Sequence, residues 1–308
     1  MAACNGPERE GTLGGAPAVQ EGFATTPDSV RIYYRVVGRG GETVMAPFAL
    51  FHGTALDRLA RGRRVVTYDP RGRGRSDPVP PAKVSLDLLL LDLETVRRAV
   101  GAERVALIGW SGAGMETFVY ALRHPERVAR LVQLAPVAPR LEPYGTAMME
   151  DRRRRTDTVA LAALEARRSE YQGRPDAWCR DRTALTRLAL LADPAHFPAT
   201  PDVCGYANEQ APRLDGYFAA LFRSIVGYDY RDSLTAVGIP RLIIHGAEDN
   251  TPLDGNREWA AGQPSARLVV IEGAGHWPHY EQAERTLGAI ETFLRGEWPA
   301  TAVMVPRN

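Results

Sequence analysis

The sequence predicts an α/β fold in which a mostly parallel, eight-stranded sheet is flanked by helices and interrupted by a helical insertion. Three observations carry that prediction. Short runs rich in β-branched residues, TVMAP, RRVVTYD, RVALIGW and RLVQLAP, alternate with segments such as SLDLLLLDLETVRRAV whose apolar positions recur at helical spacing. After the first pair of strands, the connections are too long for hairpins and suit parallel crossovers. The strand rhythm then stops after Pro136 and returns only with IPRLIIHG and ARLVVIEG, so the core is discontinuous in sequence.

Taken from the start, residues 1–21 are rich in Gly, Ala and Pro without a hydrophobic period and read as a disordered tail. From Gly22 the run GFATT, a Pro-Asp-Ser turn and RIYYRVVG read as a β-hairpin. The core is expected over residues 22–137 and 237–308. Residues 138–236, with the helical patterns DTVALAALEARRSEY, AWCRDRTALTRLALLAD and LDGYFAALFRSIV, are expected to form a helical cap. A last helix is expected over YEQAERTLGAIETFLRG.

Length and composition narrow the function classes. The 308 residues give room for one core and one insertion. A hydrophobic content of 44%, a charged content of 24% and a net charge of +1 describe an ordinary soluble domain with no pull towards nucleic acid. The Arg152 to Arg155 run is flanked by Asp151 and Asp157 and reads as a solvated helix face. No apolar stretch has the length of a membrane span, and the N-terminal residues lack a basic start followed by an apolar run, so a cytoplasmic protein with no membrane partner is expected. Cys4, Cys179 and Cys204 are too few for a disulfide framework or a zinc site and fit a reducing cytosol; a single Cys179–Cys204 bridge stays open. No metal site is expected, and the sequence sets no oligomeric state.

The chemistry concentrates around Ser111. In RVALIGWSGAGMETFVYAL the serine sits between a buried strand and a helix, with Gly109 two residues before it and Ala113 two residues after. A strained turn that exposes a nucleophilic hydroxyl needs small residues at those positions. The same geometry places the Gly112 N–H and a helix N-terminus where an oxyanion would form. A hydroxyl needs a base to take its proton. Of the six histidines, His124, His196 and His245 read as structural, whereas His276, in EGAGHWPH, follows the last strand on a loop of small residues and is the expected base. His279, three residues on, is the alternative. Asp249, in LIIHGAEDNTP, is the expected carboxylate that orients the base; Glu248 is expected to point away from it and Asp254 to cap a helix.

With GWSGAG around Ser111, YDPRGRGRSD at 68–77, HGAED at 245–249 and GAGHWPH at 273–279, the chain resembles the α/β-hydrolase superfamily over residues 22–296, nearest its esterase and proline-iminopeptidase-like branches. The resemblance implies hydrolysis without a cofactor, a triad of Ser111, Asp249 and His276, and a helical cap over the site. One departure stands out. Family members usually follow their third strand with His-Gly-Gly or a close relative, which donates the second oxyanion N–H. Here the loop admits two readings: ending the strand at His52-Gly53 leaves a tight span before RRVVTYD and puts Pro47 inside a central strand, so TVMAP is preferred as the strand, with Phe48 or Ala49 as the donor and His52 as a surface or cap-facing residue. Gly72-Arg-Gly74 is read as a turn braced by Asp69 and Arg71, since no helix follows to hold a pyrophosphate.

The expected substrate is a small molecule with an apolar group, held by Trp110, Trp277, Tyr206, Tyr217, Phe218 and Phe222. Hydrolysis of a carboxylic ester or lactone through an acyl-enzyme is the first expectation. A proline-iminopeptidase-like aminopeptidase is the alternative, with Glu209 in YANEQ as anchor for an ammonium group; a non-catalytic ligand-binding relative is the reading of another class. Carbon–carbon bond hydrolysis stays open, whereas epoxide hydrolysis and dehalogenation would need a carboxylate at position 111.

Overall fold

The computed structural model describes residues 18–206 and 214–307. Its eight-stranded sheet consists of β1 (Val19–Thr25), β2 (Arg31–Gly38), β3 (Thr43–Pro47), β4 (Arg64–Tyr68), β5 (Val105–Trp110), β6 (Val128–Leu134), β7 (Arg241–Gly246) and β8 (Ala266–Ile271). They lie in the order β1-β2-β4-β3-β5-β6-β7-β8. The pairs β1/β2 and β2/β4 are antiparallel and every other pair is parallel. The parallel strands β3, β5 and β7 are buried along their whole length, as strands covered on both faces must be, which is why they read as continuous apolar runs.

The helices follow the sequence pattern with instructive exceptions. They are α1 (Ala49–His52), α2 (Leu86–Ala99), α3 (Gly112–Arg123), α4 (Tyr144–Arg155), α5 (Thr158–Ala166), α6 (Pro175–Arg187), α7 (Leu214–Ser224), α8 (Leu253–Ala260), α9 (Pro278–Glu281) and α10 (Ala283–Leu294). Ser85 caps α2 by accepting the Leu88 N–H, and Asp157 caps α5 by accepting those of Val159 and Ala160. Asp254 does not cap α8. It lies inside the first turn and pairs with Arg257. The expected last helix is two helices, because Gln282 leaves the helical region at φ −131° and ψ 56°.

Two further expectations are corrected. Strand β1 begins at Val19, inside the stretch whose composition reads as a tail, because Val19, Gln20 and Glu21 pair with Val37, Val36 and Arg35; backbone pairing does not depend on side-chain polarity. Residues 1–17 lie outside the described residues. Cys179 on α6 is bonded to Cys204, so the open pairing is the one formed. Such bonds persist in oxidising compartments, which removes the cysteine argument for a reducing cytosol. Among the described residues no helix is long and apolar enough to cross a membrane.

Helices α4 to α7 all fall between β6 and β7. This inserted segment meets the sheet's C-terminal edge through the turn Leu188–Leu190 that follows α6, whose Leu190 carbonyl accepts the His276 N–H at 2.7 Å.

Candidate active site

The turn after β5 holds Ser111 at φ 55° and ψ −125°, a region that side-chain-bearing residues seldom adopt. Its cost is met by the sheet and by small neighbours. The Ser111 N–H donates to the Leu134 carbonyl at the end of β6 at 3.0 Å. A Cβ on Gly109 would stand 2.2 Å from the Ala113 carbonyl oxygen, and one on Gly114 would stand 2.7 Å from Pro136 Cβ, so both positions demand glycine. The sequence pointed to Gly109 and missed Gly114. Gly112 opens α3, so its amide and the positive end of a three-turn helix face the side on which Ser111 lies.

The structure brings Ser111, His276 and Asp249 into one hydrogen-bonded chain. His276 Nε2 lies 2.8 Å from Ser111 Oγ, and His276 Nδ1 lies 3.0 Å from each oxygen of Asp249. A carboxylate can only accept, so Nδ1 carries the proton and Nε2 is the lone pair presented to the serine hydroxyl. Burial pushes the Asp249 carboxyl up, but the charge and hydrogen bond of His276, the charge of His245 and the Thr251 N–H outweigh it and hold it below its ordinary value. The alternatives are engaged elsewhere. His279 is buried against Trp277, Glu248 accepts the Ala274 N–H, and Asp254 pairs with Arg257.

The loop after β3 follows the second of the two readings. Pro47 ends the strand opposite Tyr68, and Phe48 takes the left-handed conformation at φ 65°, turning the chain into α1. The Leu50 N–H is committed to Asp69 Oδ1 at 2.9 Å, which leaves Phe48 and Ala49 as the loop's candidate donors. Asp69 also accepts the Arg75 N–H, and a Cβ on Gly74 would collide with its carboxylate, so Asp69 braces this turn as expected. Arg71 instead pairs with Asp92 and Asp28 in the interior. His52 is fully buried beside His279 with ring centroids 5.5 Å apart, contrary to a surface position; as the last residue of α1 it turns inward beneath the loop.

The aromatic residues divide. Tyr217 on α7 is buried and packs edge-on against Phe48 with ring centroids 6.1 Å apart, and Phe218 packs on Tyr217. Phe222 is 40% exposed and is not brought to the site, since five residues along a helix carry it well round from Tyr217. Trp110 and Trp277 are walls of the base loop rather than an open pocket. Trp110 Nε1 donates to the His276 carbonyl at 2.8 Å, and Trp277 packs tilted against Trp110 and beneath the Arg187 guanidinium. Tyr206 ends the turn Val203–Tyr206, and Glu209 lies outside the described residues. Sequence reading missed Glu281, which accepts the N–H groups on either side of His276; a carboxylate five residues after a base is not distinctive in sequence. Among the described residues no group of three or more His, Cys, Asp or Glu is placed to hold a metal ion.

Comparison with known proteins agrees with the fold. Over 296 residues the chain is 26% identical to a 2-hydroxy-6-oxononadienedioate/2-hydroxy-6-oxononatrienedioate hydrolase of Paraburkholderia phymatum, covering 86% of this chain and 91% of that protein. It is 30% identical over 250 residues to the 2-hydroxymuconate semialdehyde hydrolase of Pseudomonas putida, covering 79% and 80%. Among solved structures, a thermophilic esterase from Thermogutta terrifontis superposes with a TM-score of 0.66 at 25% identity, over 90% of this chain and 98% of that one. The family profile for the α/β-hydrolase fold matches residues 38–283, from the end of β2 to the start of α10, and the chain belongs to that family of hydrolases.

Proposed function

We propose that the protein is a serine hydrolase that cleaves a carboxylic ester or lactone through an acyl-enzyme. The observation that carries the reading is the continuous chain of hydrogen bonds from Asp249 through His276 to Ser111. His276 takes the hydroxyl proton as Ser111 attacks the carbonyl carbon, and Asp249 holds the imidazole in the required tautomer and stabilises its charged form. The Gly112 amide and that of Phe48 or Ala49 receive the oxyanion. His276 then returns the proton to the leaving oxygen, and water, activated by the same base, releases the acid. Residues 138–236 serve in this reading as the cap over Ser111. The rings of Phe48, Phe51 and Tyr217 beside the oxyanion loop favour an apolar acyl or alcohol group.

A second reading, hydrolysis of a carbon–carbon bond next to a carbonyl group, is favoured by the two relatives named as hydrolases of an oxo-dienedioate and of a semialdehyde, at 26% and 30% identity. The aminopeptidase reading rests on Glu209 alone, and the hydrogen-bonded triad argues against a non-catalytic relative.

The test is intact-mass analysis after exposure to a fluorophosphonate, wild type beside Ser111→Ala, followed by turnover of p-nitrophenyl esters, lactones, a vinylogous oxo-acid and prolyl anilides. We expect one label on wild type, none on the variant, and turnover led by esters or lactones. A folded wild type that takes no label would overturn the reading. Turnover of the oxo-acid alone would move the assignment to carbon–carbon bond cleavage.

A further inference from the structure

A second carboxylate lies directly behind His276. Glu281 closes α9, is 5% exposed, and accepts three hydrogen bonds, all from backbone N–H groups. Its Oε1 accepts the N–H of Gly275 at 2.9 Å and that of Trp277 at 3.2 Å, the residues immediately before and after His276. Its Oε2 accepts the Ala192 N–H of the inserted segment at 2.6 Å. The His276 N–H in turn donates to Leu190, two residues from Ala192.

The loop that carries His276 is built from Gly273, Ala274 and Gly275, which have no side chain able to hold its shape. Its course is therefore set by the hydrogen bonds of its backbone, donated to Glu281, Glu248 and Leu190 and accepted from Trp110, Glu248 and Gln282. Of the three consecutive amides at 275, 276 and 277, two go to Glu281 and one to the insert. The fit leaves no slack, since a Cβ on Gly275 would stand 2.5 Å from the Leu190 carbonyl oxygen and 2.9 Å from the Ala192 nitrogen. One carboxylate thus grips the base loop with one oxygen and the insert with the other.

We propose that Glu281 is a positioning residue for His276, fixing the backbone on both sides of the base and tying it to the insert at Ala192, so that the base is correctly aimed only when the insert is seated. This rests on the reading of His276 as the base of Ser111. Bonds to an ionised acceptor are the strong and directional ones, and an active-site misplacement of about 1 Å can cost roughly a hundredfold in rate. Gln can keep one carbonyl oxygen for Gly275 and Trp277 but turns an NH2 towards the Ala192 N–H; Leu keeps neither grip.

The experiment compares wild type, Glu281→Gln and Glu281→Leu by the rate of fluorophosphonate labelling, kcat and KM, the pH profile of kcat/KM, and hydrogen–deuterium exchange. In Glu281→Leu we expect labelling and kcat to fall by about a hundredfold with KM changed far less, and the acid limb of the pH profile to move; Glu281→Gln should recover part of the rate. Exchange in peptides covering 190–192 and 275–277 should rise together in both variants. If the Glu281→Leu substitution prevents folding, Glu281→Gln decides by the same readouts. Folded variants with the wild-type labelling rate and pH profile overturn the proposal, and faster exchange at 275–277 alone overturns the tie to the insert. A wild type that takes no label removes the base itself, a failure distinct from a labelled wild type whose Glu281 variants are normal.

Discussion

The two halves of the site are held by opposite means. Ser111 is fixed mostly by its own neighbourhood, where β5 ends, Gly109 lets the backbone pass itself closely, α3 begins at the next residue, and the end of β6 and the residues just after it, with bonds to Leu134 and Val137 and Pro136 close to Gly114, anchor the turn. His276 is fixed from a distance. Its N–H goes to Leu190, its carbonyl to Trp110, its ring to Asp249, and its neighbours' amides to Glu281. A nucleophile must sit in one strained conformation, which a local turn can impose. A base must reach across to another strand's residue and is therefore aimed by several segments at once.

Glycine substitutions on the two sides sharpen this contrast most. Gly109→Ala drives a methyl group into the Ala113 carbonyl and Thr117 Oγ1, at 2.2 and 2.3 Å, and should lower kcat by more than about a hundredfold with KM little changed, because only the elbow moves. Gly275→Ala pushes the base loop off Leu190 and Ala192. It should lower kcat by roughly ten- to a hundredfold and raise KM as well, because the insert moves with it. Steady-state kinetics of the two variants decide; a Gly275→Ala enzyme with normal KM would break the contrast.

A smaller effect is expected from the disulfide that joins α6 to Cys204 across a sequence separation of 25 residues. Replacing both cysteines by serine should destabilise the protein by about 3 kcal/mol, chiefly by freeing the unfolded chain. Because α6 leads through Arg187 and Leu190 to Trp277 and His276, KM should rise a fewfold and Ser111 labelling should slow by a similar factor. Denaturant titration and labelling of the same samples separate the two quantities, and labelling at the wild-type rate would show that the disulfide's influence stops short of the base.

The smallest effect on turnover and the clearest on acid stability belongs to the buried imidazoles. Burial pushes His52 down to about 4, and burial with the nearby His52 and His276 pushes His279 well below its ordinary value. Both are neutral in the folded protein, whereas the unfolded chain takes up protons near the ordinary value of 6.5. The stability they contribute is therefore fully present above 6.5 and is lost as pH falls below it, for His52 through about 4, where it amounts to roughly 3 kcal/mol at most. Urea midpoints measured between these limits should fall steeply for wild type and less steeply for His52→Phe. Equal slopes would remove His52 from the account.

The same division explains what could be read without a structure. Period and spacing placed all eight strands, the elbow at Ser111 and the carboxylate and imidazole after β7 and β8, because each is written in residues a few positions apart. The inward turn of His52, the outward face of Phe222, the break at Gln282 and the role of Trp110 as a strut for the base loop were not legible. Each depends on which distant segment packs alongside.

Sequence by itself determined the α/β architecture, the family and the three residues of the hydrogen-bonded chain. Hydrophobic period, turn residues and the small residues around a strained serine are local necessities that the chain must spell out in order. Only the tertiary structure decided that Phe48 turns left-handed after Pro47, that Cys179 bonds Cys204, and that Glu281 joins the base loop to the insert. Backbone N–H groups are identical in every residue but proline, so where each one finds its acceptor is fixed by the fold and leaves no mark in the sequence.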